Sequence, residues 1–310
     1  MDLYRHSGAI SAPGLLLGLA AGLFTAGVLG VVYSFLIVYI PFIYINPLLT
    51  CGYVVALGWV VAWGTKTGKL RNSIVVGLLA FIAGVVGLYV AWGADLLARF
   101  NTDVGLAAFH PAVLSDYMAF FYRQGFWSLF GARALSGMLL GAVWVIEAAI
   151  IVGGATALAV VFFGRTPFCE TCRRWCTAVE GVAKLQVRPS QETVLERVLA
   201  GKLDALDELY RAEAKAETYL RLDVSRCETC SASNFLSIRN VVHGVDRDGN
   251  SQMSVETLLA NLVLHESDLA AVRSAGRRPD VVEPKDTDPP DDSAVGASAS
   301  PRGAAPSSNA

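Results

Sequence analysis

The chain has 310 residues, a net charge of -2 and a mean hydropathy of +0.47, with 54% hydrophobic and only 17% charged residues. Soluble globular chains carry about 25% charged residues, so an ordinary soluble domain is excluded. No long basic run is present, so no nucleic-acid partner is expected.

The missing charge is concentrated at the start. From Ser7 to Gly64 there is no Asp, Glu, Lys, Arg or His. One bilayer crossing needs about 20 apolar residues, and this run is far longer. Arg5 and His6 precede it, but no small-residue cleavage site in a polar region follows. The segment is therefore expected to be a retained first span rather than a secretory signal.

Four spans are expected in residues 1–164: Pro13 to Ile37, Asn46 to Gly64, Ser73 to Gly93 and Ser136 to Phe163. Pro41 and Asn46-Pro47 interrupt the first apolar run, and proline breaks helices by removing a donor and clashing with the preceding turn. Tyr33, Tyr39, Tyr44 and Tyr53 surround that break, which suits a turn at a membrane interface. The alternative is a single kinked helix, which would place the termini on opposite sides.

The short loop Thr65–Asn72 carries Lys66, Lys69 and Arg71 without an acid, and Arg165, Arg173 and Arg174 follow the fourth span. In the longer connection 94–135, Arg99, Arg123 and Arg133 are offset by Asp95, Asp103 and Asp116. The positive-inside rule then places both termini in the cytosol, and the absence of eukaryotic targeting signals points to a bacterial inner membrane. Within 94–135, Pro111 to Gln124 has helical spacing with Pro at its start. It is rich in aromatics, and is expected to cap the bundle or lie in the interface.

Two features inside the spans stand out. Gly14, Gly18 and Gly22 repeat every fourth residue, as do Gly137 and Gly141, a spacing that lets membrane helices approach closely and permits oligomers. Glu147 is the one ionisable residue in an expected span core. A carboxylate in hydrocarbon costs on the order of 3 kcal/mol, so Glu147 is expected to face the bundle or be protonated. It is either a neutral, hydrogen-bonded structural group or a proton, cation or substrate contact.

After Gly164 the composition becomes ordinary, and a small cytosolic α+β domain is expected over 165–276. It contains Cys169-Glu-Thr-Cys172 and Cys227-Glu-Thr-Cys230, with 54 residues between Cys172 and Cys227. Each C-x-x-C turn brings two thiolates to one side of an ion, and zinc takes four such ligands in closed structural sites. These two knuckles resemble zinc-ribbon modules. The resemblance implies that Cys169, Cys172, Cys227 and Cys230 hold structural Zn2+, although the usual ribbon spacing is about 15 to 20 residues. Disulfides, a thioredoxin-like redox pair and an iron–sulfur cluster are the alternatives. Cys176 is a neighbouring free thiol or alternate ligand, and Cys51 a small packing residue in the second span.

Between the knuckles, a helix from Ser190 through Val198 and a second one carrying Leu203, Leu206, Leu209 and Tyr210 are expected. A strand follows from Thr218, then a hairpin of Asn234–Val245 and Gln252–Leu259 turning at 246–250. That turn fails as a calcium loop, because Ser251 and Thr257 occupy the positions that need Gly and Glu. The tail from 277 holds six of the twelve prolines and lacks core-forming residues, so disorder is expected over 277–310.

The four histidines, His6, His110, His243 and His265, belong to no catalytic motif. The expected function is a membrane scaffold or sensor whose cytosolic zinc domain contacts a protein partner. The alternatives are a small transporter or channel using Glu147 and a membrane thiol oxidoreductase.

Overall fold

The computed structural model describes residues 2–40, 45–100, 105–126, 135–187, 191–213, 216–230, 232–245 and 250–276. The tail 277–310, Ser190 and the turn 246–249 lie outside them.

Four helices are long and apolar enough to cross a membrane: α1 (Ala12–Tyr39), α2 (Asn46–Thr67), α3 (Ser73–Phe100) and α5 (Gly137–Gly164). A shorter helix, α4 (Pro111–Gln124), lies between the last two. α1 ends at Tyr39 and α2 begins at Asn46, so the proline break separates two helices. Glycine contacts give the register. Gly14 abuts Leu70, Gly18 abuts Thr65 and Gly22 abuts Val61, so α1 and α2 are antiparallel. Gly18 also faces Leu79 and Gly22 faces Ala83, so α1 and α3 are parallel. Gly58 meets Ala155 and Leu158, and Gly154 meets Val54, which sets α5 parallel to α2. The result is an up-down-up-down bundle. The Gly14–Gly18–Gly22 stripe is buried inside it, while Gly137 faces open space and Gly141 faces Tyr122 of α4. One π turn, Ala149–Gly153, widens α5 just beyond Glu147.

α4 starts with its proline in the first turn, and His110 Nδ1 accepts from the Ala112 amide at 3.3 Å. Leu114 and Tyr117 pack with Leu96, Ala108 and Trp92 over the end of α3, leaving Phe120 and Tyr122 exposed.

The cysteine domain is built on an antiparallel sheet in the order β3 (Thr177–Gln186), β4 (Thr218–Arg226), β5 (Asn234–Val245), β6 (Ser251–Leu264). A two-stranded hairpin, β1 (Phe168–Cys169) with β2 (Arg174–Trp175), precedes it. Helices α6 (Gln191–Leu199) and α7 (Asp268–Ser274) and a 3-10 turn at Leu203–Glu208 cover one sheet face. Leu185, Leu206, Leu220, Leu222, Leu236 and Ile238 are fully buried there.

The expected second helix is the 3-10 turn. Leu203, Leu206 and Leu209 recur every third residue, which matches three residues per turn rather than 3.6. β3 has no counterpart in the sequence reading. Gly181 has φ 67°, and a bulge between Val179 and Ala183 breaks the two-residue alternation that marks a strand.

The N-terminal segment adds a short strand outside β6. Leu3 pairs with Leu262, the Tyr4 amide donates to the Asn261 carbonyl at 2.9 Å, and the Val263 amide donates to the Asp2 carbonyl at 3.0 Å. Further along, Gly8 and Ala9 exchange backbone hydrogen bonds with Arg71. The N-terminus, the 65–72 loop and the cysteine domain therefore share one end of the bundle.

Candidate metal centre and intramembrane acid

β1 and β2 present the first cysteine pair, and the turn from β4 to β5 presents the second. Pairing of β3 with β4 brings the two knuckles together across the long insertion. The Sγ atoms of Cys169, Cys172, Cys227 and Cys230 all lie within 4.8 Å of one another. Cys169 and Cys230 are 3.6 Å apart, and all four thiols are free. Tetrahedral zinc with Zn–S near 2.3 Å would set sulfur–sulfur distances of roughly 3.8 Å, so the cluster fits such an ion.

The surrounding donors suit thiolates. The Cys172 amide donates to Cys169 Sγ at 3.5 Å, and Ser233 Oγ donates to it at 3.3 Å. Backbone N–H groups of Cys230 and Thr229 hold the Cys227 thiol down at about 6. Hydrogen bonding to Cys230, with burial and the other thiols adding to it, pushes Cys172 up to about 12. Four crowded thiols ionise together only beside a compensating charge, which a divalent ion supplies. Cys176 packs beside the cluster but is not one of its four members. Burial raises its thiol to about 12.

The centre is joined to the bundle. Trp175 Nε1 donates to the Lys66 carbonyl at 2.8 Å. Lys66 Nζ donates to the Phe162 carbonyl at 2.7 Å and to Thr166 Oγ1 at 3.0 Å. Arg71 pairs with Glu170, inside the first knuckle, and stacks on Phe168. The matching Glu228 of the second knuckle is exposed. Tyr4 packs on Phe235 and its hydroxyl accepts from the Phe168 amide at 3.0 Å.

No family model, curated protein or solved structure matches the chain.

Sequence reasoning passed over His6, whose only signal was its place beside the apolar run. The ring packs on Phe163 at 4.7 Å and Trp175 at 5.9 Å, and Nδ1 lies 3.0 Å from the Tyr4 hydroxyl. Burial, and then the charge on Lys66, lowers its pKa; Glu170 opposes them weakly. The folded form thus keeps the ring neutral. Its contribution to stability is complete above the ordinary value of about 6.5 and is lost as pH falls through that value toward the lowered folded pKa. Amide exchange in residues 2–8 is expected to speed up as pH drops from about 7 to about 5, after correction for intrinsic rates. His6→Phe should remove that dependence, and an unchanged profile in the variant would show that another group is responsible.

Within the bundle, Tyr33 donates to Glu147 Oε1 at 2.6 Å, Tyr33 and Thr50 hydroxyls meet at 3.0 Å, and Thr50 donates to the Asn46 carbonyl at 2.9 Å. α3 runs past its expected end at Gly93, and this carries Asp95 to the same region. Asp95 binds Arg99 Nε at 3.0 Å and the Tyr117 hydroxyl. Asp95, Glu147, Ser34, Trp92 and Trp144 border a cavity of about 40 Å3. Ser34 Oγ and Trp144 Nε1 are buried there without a protein partner. On the other side of the Tyr33–Glu147 pair lies a larger cleft of about 320 Å3 between α1, α2 and α5. Cys51 is exposed at its edge, rather than packed inside the bundle.

Proposed function

We propose that the chain is a membrane-anchored scaffold or sensor, with a zinc-ribbon-like domain that holds structural Zn2+ and contacts a protein partner. Both termini then lie in the cytosol of a bacterial inner membrane. The observation that carries the reading is the join between the cysteine cluster and the bundle through Trp175, Lys66, Arg71 and Glu170. Four buried or half-buried thiols leave a bound metal no open position for substrate, which suits a structural role. The same contacts tie the state of the metal to the helix ends. On the sheet, Met253 and Val255 are exposed near the free end of β6 and offer a partner apolar contact.

A photo-crosslinker at Met253, introduced in native membranes, tests this. It is expected to capture one discrete protein from metal-loaded chain, and a strong chelator should abolish capture while raising amide exchange in 2–8 and 65–72. A stable metal-free domain with unchanged capture and exchange overturns the reading.

The bundle favours a second reading, a small transporter using Glu147. Its support is the position of the Tyr33–Glu147 pair between two cavities. An acid held in a membrane bundle is a functional candidate by default.

A further inference from the structure

The cleft between α1, α2 and α5 has an apolar body and a polar floor. Ile37, Val143, Ile146 and Ile150 line the body. Tyr33, Asn46, Thr50 and Glu147 form the floor. Pro47, Cys51, Ile146 and Ile150 are exposed at its mouth on membrane-spanning helices, so it opens sideways into lipid. It lies near the start of α2, in the leaflet farther from the cysteine domain. A volume of about 320 Å3 falls within the size range of small-molecule pockets.

The floor is short of protons when Glu147 is ionised. Three contacts join Glu147, Tyr33, Thr50 and the Asn46 carbonyl, and the two hydroxyls own one proton each. The carbonyl only accepts, so the Thr50 proton goes there. The Tyr33 proton then serves either Glu147 or Thr50. With a carboxylate it goes to Glu147, and the 3.0 Å Tyr33–Thr50 contact has none. With a neutral carboxyl every contact is supplied, because the carboxyl's own proton then serves the 2.6 Å contact, which reverses the donation drawn from Tyr33 to an ionised Glu147, and frees the Tyr33 proton for Thr50. The free cleft is therefore consistent with a protonated Glu147. Asn46 Oδ1 is buried at this floor without a donor, and no described group donates to Glu147 Oε2. Both are acceptors, so the missing ligand group is a donor. Among the described residues no cation lines the cleft, which disfavours an acidic ligand.

We infer that this cleft binds a lipophilic primary ammonium ion from the bilayer, whose charged head replaces the proton of Glu147. The inference rests on the transporter reading and names its ligand class. The ammonium supplies N–H donors to Glu147 Oε2 and Asn46 Oδ1, and its alkyl body lies among the isoleucines. The balance is one proton released to water for each ammonium bound, with no bond to carbon made or broken. The groups facing Glu147 are Tyr33 on α1, Tyr53 stacked on Tyr33 from α2, and Asp95 on α3 with its partners Arg99 and Tyr117. The Asp95 charge is already paired with Arg99, so Glu147 is the group left to exchange its proton.

The test uses the full chain in zwitterionic nanodiscs, titrated with octylammonium in two buffers of different ionisation enthalpy. Saturable binding with release of up to one proton per ligand is expected, and affinity should fall as pH is lowered, because the ammonium competes with the proton for the same carboxylate. Glu147→Gln should lose both binding and proton release. Cys51→Trp should weaken binding by filling the mouth while leaving the floor intact, and a thermal unfolding transition matching wild type reports that each variant is folded. Octanol and octanoate should give no saturable heat. The inference fails if octylammonium does not saturate, if Glu147→Gln binds as well as wild type, or if octanol binds equally. Ligand-driven proton movement in proteoliposomes, taken as the difference from Glu147→Gln, separates the two levels. Binding without movement overturns transport alone, and movement driven by a different solute, without octylammonium binding, overturns the ligand alone.

Discussion

Cys227→Ser is expected to strip the metal from the purified chain and to destabilise the cysteine domain by more than about 4 kcal/mol, the range in which losing a structural metal falls. Cys227 is buried, and the backbone amides of Cys230 and Thr229 lower its thiol to about 6. Serine keeps the size of the side chain but offers no thiolate. Most of the loss should appear at the knuckles, since Leu185, Leu220, Leu222 and Leu236 pack in a cluster separate from that of the cysteines. Metal analysis and limited proteolysis measure both effects. One zinc per wild-type chain, absent from the variant and accompanied by cleavage near 167–176, is the expected result. A variant that keeps its metal would remove Cys227 from the site. A wild-type chain without metal and with reactive thiols would bring redox chemistry forward.

The second large effect is steric. Gly68, just past the end of α2, lies directly on the backbone of Gly14 in α1. A methyl group there would overlap the Gly14 Cα and N, which have no flexible end to move aside. Gly68→Ala should therefore cost about 3 kcal/mol or more, at the upper end of overpacking penalties, although its φ of -84° suits alanine. Gly27→Ala and Gly52→Ala are the controls, because open space surrounds both positions. Thermal unfolding in one detergent should show a large fall for Gly68→Ala and little change for the controls. Equal behaviour of all three would mean that α1 and the 65–72 loop do not pack this closely.

The four long apolar helices were legible because a helix able to cross a bilayer needs an uninterrupted apolar run, and the breaks fall at Pro41 to Pro47, at the charged loop 65–72 and at the connection 94–135. α4 was legible from Pro111 at its start and the aromatic spacing after it. The cysteine pairs were legible because a four-thiol site imposes short local spacings whatever lies between them. Three other features were not. Asp95 was read as part of a loop because charge ends an apolar count, although its helix continues to Phe100. β3 was hidden by the bulge at Gly181. The strand at Leu3 is too short for any period to register and exists through its partner on β6. The join at Trp175 and His6 is likewise a tertiary fact, made by residues that are unremarkable in their local sequence.

The pairing of Leu3 with Leu262 gives the chain an order of assembly. The segment around Leu3 finds its partner only in β6, the last strand among the described residues. During synthesis this segment must wait while the four apolar helices and the sheet form. When it docks, it closes nearly the whole described chain into a loop, a contact of very long sequence separation. A substitution at Leu3 and one in the middle of β6 therefore act on one and the same late step.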